Sequence, residues 1–177
     1  MNTTKCNQWD ARFFALTNFI ASWSEDDSRK VGSVLVSEDN QIISTGFNGL
    51  PRNISSKPRS RHSKENNQKY FWYEHAERNS IYNAVSTGIS VKGATMYCNS
   101  YPCADCTRAI IQSGIVTLKT FNYSTVDSMF ADHFEVADEM IEEAGIELFF
   151  YSRNDPLIKT VQSNFTSIVS TENDYFR

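Results

Sequence analysis

The sequence lacks long apolar stretches, since no run in its 177 residues approaches the roughly 20 residues that a membrane-spanning helix needs. Its first ten residues, MNTTKCNQWD, do not combine a charged head with an apolar core, so we expect no secretory signal in them. Without an export signal, the expected compartment is a reducing cytoplasm, where disulfide bonds are rare. The sequence therefore predicts a cytoplasmic protein that does not associate with membranes.

Cysteine and histidine are scarce, with four and three residues respectively. In a reducing compartment, these cysteines are better interpreted as metal ligands, core residues or catalytic groups than as disulfide partners. The chain also lacks excess positive charge, because its net charge is −4 and its isoelectric point lies near 5.4. Binding to long nucleic acid favours basic domains, so we do not expect it here.

One local stretch is basic. From Arg52 to Lys69, the sequence RNISSKPRSRHSKENNQK holds six lysines and arginines and a single glutamate. A solvated polar loop is the simplest interpretation. The alternative is a lid that attracts phosphate, with four candidate phosphate or allosteric contacts: Arg52, Arg59, Arg61 and Lys64.

Helical and strand patterns alternate along the chain. Helical spacing predicts helices over 9–23, from Tyr73 to Gly88, from Pro102 to Gly114 and around 137–144, and short β-branched runs predict strands at 31–36, 41–46, 94–99, 115–123 and 146–151. Strands separated by helices favour parallel pairing with helices on both faces, which is an α/β fold. We expect one domain over residues 1–152, with an insert loop at 50–72. A C-terminal tail at 153–177 would follow, with a short helix near Pro156 to Gln162.

The chemistry begins at YPCADC, where Cys103 and Cys106 follow Pro102, a residue that can start a helix. Alone, the two cysteines fit a redox pair, half of a structural zinc site or part of a catalytic metal site. His75, at the start of another predicted helix, adds a nitrogen ligand, and such N and S donors suit Zn²⁺. Three ligands leave a position open for water, as in catalytic zinc sites, and helix N-termini favour thiolates.

Glu77 follows His75 by two residues, so its carboxylate is expected beside the metal, where it can move protons. H-x-E followed by P-C-x-x-C, with the glutamate not a ligand, is the signature of zinc-dependent deaminases. A redox pair would leave Glu77 and His75 without a role. A four-ligand structural site would need Cys6, Cys98 or another histidine. Of these candidates, Cys98 is expected to be a thiol in the core, and Cys6 is expected to have no functional role. His62 and His133 fall in polar segments and are expected to be ordinary surface residues.

The segments KVGSVLVS, GFNGLPR, HAERNSIYNA and GATMYCNSYPCADCTRAIIQSGI together resemble the deoxycytidylate (dCMP) deaminase family, within the zinc-dependent cytidine deaminase superfamily, over roughly residues 9–151. The resemblance implies a three-layer α/β/α cytidine-deaminase-like fold with a mixed, mostly parallel five-stranded sheet. It also implies hydrolysis of dCMP to dUMP and ammonia, in pyrimidine deoxynucleotide metabolism and dTMP supply. Glu74 and Arg78, which flank the HAE motif, differ from the aliphatic flanks expected in the family.

The same resemblance assigns roles to individual residues. His75, Cys103 and Cys106 would hold one Zn²⁺ per chain, and Glu77 would be the catalytic proton carrier. Asn48 would contact the sugar, although an asparagine between glycines is often only a turn residue. Ser100 and Tyr101 would line the base pocket, although a tyrosine before proline can simply pack. The family further implies a homo-oligomer, from dimer to hexamer, with dCTP and dTTP as allosteric effectors accompanied by Mg²⁺.

Two other functions remain open from the sequence. The first is the same chemistry on another cytosine nucleotide, or on tRNA or single-stranded nucleic acid, against which the acidic isoelectric point argues. The second is a non-catalytic zinc-binding regulatory protein, against which Glu77 argues, because metal retention does not need it. Since the insert has His62 but no cysteine, a second metal site is not expected there.

Overall fold

The computed structural model describes residues 3–123 and 131–171. Within them lie α1 (Gln8–Ala21), β1 (Gly32–Val36), β2 (Ile42–Phe47), α2 (Gln68–Trp72), α3 (Ala76–Ser86), β3 (Thr95–Cys98), α4 (Ala104–Gln112), β4 (Thr117–Phe121), α5 (Ala131–Glu143), β5 (Glu147–Tyr151) and α6 (Pro156–Thr171). None of the helices in these ranges combines the length and the apolarity that crossing a bilayer requires.

The five strands form one mixed sheet in the order β2-β1-β3-β4-β5. β1 pairs antiparallel with both β2 and β3, whereas β3, β4 and β5 are parallel to one another. The five-residue turn at 37–41 permits only antiparallel pairing of β1 and β2, because parallel strands need a long crossover. The start of β1 therefore lies at the same edge of the sheet as the carboxyl ends of β3, β4 and β5.

Helices cover both faces of the sheet, which confirms the three-layer α/β/α fold. On one face, residues from α3, α4 and α5 pack around Met96 and Leu118, both fully buried. On the other face, α1 and α6 enclose Phe14, Tyr97 and Phe121, whose rings stack or meet edge to face. Each face of the sheet thus has its own apolar core.

Gly46 in β2 allows α3 to lie directly against the sheet. A Cβ atom there would come within 2.3 Å of the Ser80 nitrogen and 2.4 Å of the Ala76 oxygen, so no other residue fits without moving the helix. The first turn of α3, which follows His75, is therefore held at a fixed height above β2.

The basic insert contains more structure than the predicted loop. Two 3₁₀ turns, at Arg59–His62 and Glu65–Asn67, lead into α2, and α3 begins at Ala76 rather than at Tyr73. The two ends of the insert meet in an isolated antiparallel bridge between Gly49 and Glu74, with N–H···O distances of 3.0 and 2.8 Å. This bridge fixes the chain immediately before His75, whatever lies in the insert.

The C-terminal segment holds a longer helix than the sequence predicted, since α6 runs from Pro156 to Thr171 instead of ending near Gln162. α6 packs against α1, and its residues Ile158 and Val161 belong to the core beneath α1. Ile158 is completely buried. The apolar face of α6 is therefore as much a part of the core as the apolar face of α1.

Candidate metal centre and active-site cavity

The three predicted metal ligands come from two helix N-termini. His75 is the N-cap residue of α3, Cys103 is the N-cap residue of α4, and Cys106 lies in the first turn of α4. Both N-cap residues have extended backbones, so their side chains stand at the positive ends of the helices. This placement agrees with the prediction from the sequence that both groups of ligands lie at the start of helices.

The three side chains converge. Nδ1 of His75 lies 3.5 Å from Sγ of Cys103 and 3.4 Å from Sγ of Cys106. The three ligand atoms all lie within 4.8 Å of one another. A tetrahedral zinc ion with ordinary Zn–N and Zn–S bonds holds its nitrogen and sulfur ligands about 3.6 Å apart, so the donor set and its spacing fit Zn²⁺.

The ionisation of Cys103 and that of Cys106 depend on each other. A hydrogen bond with Cys106, reinforced by His75 against the effect of burial, lowers the pKa of Cys103 to about 3. The same bond with Cys103, together with burial, raises the pKa of Cys106. Because metal ligation takes cysteine as thiolate, a metal ion held here would require both thiols to lose their protons.

Glu77 lies in the first turn of α3, two residues after His75, and is only 3 % exposed. Burial raises the pKa of its carboxyl group, whereas the neighbouring His75 acts in the opposite direction. A carboxyl group whose pKa is moved towards neutrality is suited to both accept and donate protons. Its backbone oxygen accepts a hydrogen bond from the Ser80 hydroxyl at 2.7 Å, within the first turns of α3.

The two charged residues flanking the HAE motif connect the two metal-bearing helices. Arg78 bonds to Glu74, four residues before it, and its guanidinium lies 3.8 Å from the carboxylate of Asp105 in the first turn of α4. Oε1 of Glu74 also accepts a hydrogen bond from the His75 backbone at 2.9 Å. Although burial alone would lower the pKa of Arg78, the nearby Cys106 and Glu74 raise it, so the cation stays beside the thiols.

A cavity of about 440 Å³ opens in front of His75 and Glu77. Four residues predicted as substrate or phosphate contacts line it: Asn48, Ser100, Tyr101 and Lys64. Arg52, Arg59 and Arg61 do not line it. Arg52 instead donates to the side chain of Asn83. Arg61 stacks over the Trp72 ring at 4.3 Å and donates to the Ser55 oxygen at 2.6 Å.

The amide of Asn48 is already used within the protein. Nδ2 donates to Oδ2 of Asp26 at 3.0 Å and to the Arg29 oxygen at 2.9 Å, while Oδ1 accepts from the Val31 nitrogen at 2.8 Å. Both amide hydrogens are therefore occupied, and only acceptor capacity remains for a ligand. Asn48 braces the loop that forms one wall of the cavity.

Tyr101 is anchored from behind. Its ring stacks on Tyr123 with centroids 4.5 Å apart and meets Phe134 edge to face at 5.4 Å, and its hydroxyl donates to Asp138 on α5. It is 4 % exposed, so it presents an immobile ring surface to the cavity. Ser100, next to it, is half-buried and also lines the cavity.

Sequence reasoning missed an ion pair on the opposite wall. Lys69 at the start of α2 pairs with Asp26 and also donates to the Ser28 hydroxyl at 2.7 Å. Both charged side chains are buried, and they tie the insert to the loop before β1. Lys69 was visible only as one of the basic residues of the insert, because its partner lies far away in the sequence.

The remaining cysteines and histidines lie outside the ligand cluster. Cys6 and Cys98 are buried in the cores, and burial raises the pKa of Cys6 to about 12. Both ring nitrogens of His62 have partners, the Tyr73 hydroxyl at 2.7 Å and the Ser56 oxygen at 2.8 Å, and His133 is exposed on α5. Among the described residues, His75, Cys103 and Cys106 form the one group of three metal-binding side chains.

Comparisons with known proteins agree with this geometry. Residues 7–121 match the model of the cytidine and deoxycytidylate deaminase zinc-binding region. A probable deoxycytidylate deaminase of Drosophila melanogaster is 32% identical over 165 residues, which cover 89% of this chain and 77% of that protein. The deoxycytidylate deaminase of Homo sapiens is 38% identical over 111 residues, which cover 61% of this chain and 61% of that protein. In fold, the chain resembles dCMP deaminase from the cyanophage S-TIM5, which was crystallised with dCMP and dUMP. The TM-score is 0.62 at 20% sequence identity, and the match covers 83% of this chain and 99% of that protein.

Proposed function

Since the chain belongs to the family defined by the cytidine and deoxycytidylate deaminase zinc-binding region, we propose that it is a zinc-dependent dCMP deaminase. The reaction is hydrolytic removal of the 4-amino group of dCMP, which gives dUMP and ammonia and serves pyrimidine deoxynucleotide metabolism. The relatives from Drosophila and human, both named deoxycytidylate deaminases, support this substrate. The observation that carries the proposal is the buried Glu77 beside three converging zinc ligands at the end of a cavity.

In this proposal, His75, Cys103 and Cys106 hold one Zn²⁺ per chain. A Zn²⁺ ion held by these residues would supply one chemical effect, which is to lower the pKa of a water molecule towards about 7. Glu77 would take a proton from that water and deliver it to N3 of the cytosine ring. It would then take the proton of the hydroxyl group added at C4 and pass it to the departing amine. A C4–O bond thus replaces the C4–N4 bond, and the amine leaves as ammonia.

The cavity walls orient the base and sugar. Tyr101 offers a fixed aromatic surface, and Ser100 contributes a hydroxyl beside it. Asn48 can accept one further hydrogen bond through Oδ1, which suits a hydroxyl of the sugar. These three roles follow from the family resemblance and from the position of the residues in the cavity.

Regulation and assembly are further parts of the proposal. The family resemblance predicts a homo-oligomer, from dimer to hexamer, with dCTP and dTTP as effectors accompanied by Mg²⁺. Addition of dCTP or dTTP with Mg²⁺ to a dCMP assay, combined with light scattering of the same sample, tests both expectations. The cytoplasmic location stays a prediction from the sequence.

The decisive experiment is a substrate panel. Purified protein is incubated with dCMP, dCTP, CMP, deoxycytidine and oligonucleotides that contain cytidine or adenosine, and ammonia release is measured. We expect the highest kcat/KM for dCMP. Turnover of an oligonucleotide alone would replace the proposal with an editing activity, and a zinc-loaded protein that releases no ammonia from any compound would indicate a non-catalytic role.

A further inference from the structure

Helix α1 carries large apolar side chains on two faces. On the buried face, Phe13, Phe14 and Ile20 are each no more than 3 % exposed. On the outward face, the rings of Trp9 and Phe19 remain nearly half exposed. A helix on the surface of a globular protein usually presents charged and polar side chains to water, whereas a helix that is apolar all round is normally buried. The outward face of α1 therefore differs in composition from a solvated surface.

The residues of this outward face follow one line along the helix. Trp9, Arg12, Leu16, Phe19 and Trp23 are spaced alternately by three and four residues, which is the spacing of a seam between two packed helices. Trp23 lies in the turn directly after α1, and its ring is also about half exposed. We call these five residues the α1 seam. They form one continuous strip along the length of the helix.

The α1 seam contains a single charged residue. The guanidinium of Arg12 lies 4.8 Å over the Trp9 ring, which is a cation–π contact. At the other end of the seam, Phe19 meets Trp23 edge to face at 5.7 Å, and Trp23 meets Phe47 of β2 at 6.1 Å. Aromatic residues and arginine are enriched in interfaces between proteins, whereas lysine and the acidic residues are depleted there. The α1 seam therefore has the composition of an interface.

An exposed apolar side chain on α5 shows the contrast. Val136 has the same exposed fraction as Trp9, 46 %, but it lies on a helix face with the exposed carboxylates of Glu135 and Glu139. Single apolar side chains of this kind are common on protein surfaces and need no partner. The α1 seam differs because its apolar members are contiguous. Contiguous exposed apolar surface marks a site of interaction.

The size of the α1 seam fits a contact with a second copy of the chain. Since a fully buried aromatic side chain covers about 150–250 Å², the half-exposed rings of Trp9, Phe19 and Trp23 together offer roughly 300 Å² per copy. Two copies would bury about 600 Å² from these rings alone, which is more than half of the roughly 1,000 Å² that a specific interface exceeds. Leu16, Arg12 and the polar residues beside the seam would supply the remainder.

The order of residues in the α1 seam suits pairing with itself. Leu16 is the central residue, and a tryptophan lies seven positions before it and seven positions after it. When two copies of α1 cross antiparallel at Leu16, Trp9 of each copy faces Trp23 of the other, and Arg12 of each lies near the other Phe19 ring. The same contacts then occur on both sides of a two-fold axis, which is the commonest symmetry of soluble oligomers.

We propose that the α1 seam is a two-fold interface between two copies of this chain, with the two α1 helices antiparallel and Leu16 at the axis. The homo-oligomer predicted from the family resemblance did not specify a surface. None of the five seam residues lines the cavity in front of the metal ligands, so the interface does not rest on the proposed function. A protein that deaminates no cytosine compound would contradict that function and leave the interface untouched.

Sedimentation of the full chain at increasing protein concentration tests the association. Wild-type protein should reach a mass of at least two chains of 20.2 kDa. Trp9→Lys and Phe19→Lys should each lower that mass by at least half, because each brings further positive charge to both sides of the axis beside Arg12. Val136→Lys, at a side chain as exposed as Trp9, should leave the mass unchanged. Thermal unfolding verifies that each variant is folded. A wild-type monomer, or a mass that neither seam variant lowers, would overturn the proposal.

A cysteine at the axis identifies what covers the α1 seam. Since side chains at a two-fold axis meet their own counterparts, Leu16→Cys should form a disulfide between two chains when oxidised glutathione is added. Electrophoresis without reductant detects the doubled mass, and Val136→Cys should remain a single chain. The four native cysteines are buried and should not interfere. Association of the protein without this cross-link would place the contact elsewhere and overturn the proposal.

Tryptophan fluorescence separates a second copy from other occupants. In Trp72→Phe protein, only the two seam tryptophans, Trp9 and Trp23, remain to report. Their emission should shift to shorter wavelength as the concentration rises and the copies associate. Emission of buried indoles in the diluted monomer would mean that the chain covers its own seam. Emission of exposed indoles at every concentration would leave the seam for a different protein. Either result would overturn the proposal.

Discussion

Nδ2 of Asn48 donates a hydrogen bond to Oδ2 of Asp26 across 3.0 Å, and this contact ties the end of β2 to the loop before β1. The same carboxylate pairs with Lys69 from the insert. Three segments that are distant in sequence therefore meet at Asp26, and together they form one wall of the cavity. The wall owes its shape to these polar contacts, since Asp26, Asn48 and Lys69 are all buried.

Replacing Asn48 should weaken both stability and substrate binding. Asn48→Ala leaves the buried Asp26 carboxylate and the Val31 nitrogen each without one partner, at a cost of about 1–3 kcal/mol in the free energy of unfolding. The KM for dCMP should rise because the wall loosens. Urea denaturation and steady-state kinetics measure the two effects, with Gln41→Ala in an exposed turn as the control. Unchanged stability would contradict the bracing role.

The Asp26–Lys69 pair predicts a pH dependence of stability. Burial alone would raise the pKa of Asp26, but hydrogen bonds from Lys69 and Ser28 outweigh it and lower the pKa below its ordinary value. A lowered folded-state pKa stabilises the protein above the unfolded pKa, about 3.9, and this stabilisation is lost as the pH falls through the folded pKa.

Asp26→Asn should therefore cost about 3 kcal/mol at pH 7. The difference in unfolding free energy from wild type should shrink as the pH falls below the unfolded-state pKa of about 3.9, and it should level off below the lowered pKa of the folded protein. Denaturant titrations over this range measure it, and Asp39→Asn in the exposed turn is the control. A difference that grows with acid would contradict the assignment.

Glu77→Gln should retain zinc and lose activity by about 100-fold or more, because the amide cannot carry protons between the water and the base. Metal analysis and ammonia release on the same preparation separate the two effects. Glu25→Gln, on an exposed loop, is the matched control. Near-normal turnover would remove Glu77 from the mechanism.

The zinc ligands predict a simple stoichiometry. Wild-type protein should contain about one zinc per chain, and Cys103→Ser should contain almost none, because a tetrahedral site loses one of its three protein ligands. Cys6→Ser, outside the cluster, should keep the wild-type content. Two zinc ions per chain would point to a further site, for which His62 would have to give up its bonds to Tyr73 and Ser56.

The completely buried Ile158 makes α6 a structural element. Ile158→Ala should lower the free energy of unfolding by about 2–5 kcal/mol, because it opens a cavity between α6 and the sheet. Val85→Ala, at a side chain that is 65 % exposed, should change it by less than about 0.5 kcal/mol. Equal small effects would mean that α6 does not contribute to the core.

The metal centre could be predicted from the sequence because its chemistry is local. Each of two residue pairs lies within one helical turn at the start of a helix: His75 with Glu77, and Cys103 with Cys106. Apolar spacing predicts the first of these helices, and a proline marks the start of the second. The α/β class could be predicted in the same way, because helical and strand periodicities alternate along the chain. The antiparallel pairing of β1 with β3 could not be predicted from the sequence, since no short turn connects these two strands.

Charge partners were the part that the sequence could not supply. Six cations between Arg52 and Lys69 suggested a phosphate lid, but composition does not tell which cations are already paired. Lys69 is neutralised by a carboxylate from another segment.

The bridge between Gly49 and Glu74 separates the insert from the metal centre, so the insert can vary without moving the metal ligands. Its two hydrogen bonds close the loop at its base, so the position of His75 does not depend on what lies between. The entropy of closing such a loop changes only slowly with its length. Descendants of this chain can therefore lengthen, shorten or change the charge of residues 50–68, which leaves Lys69 on Asp26, while the sheet and two helices keep the metal centre in place.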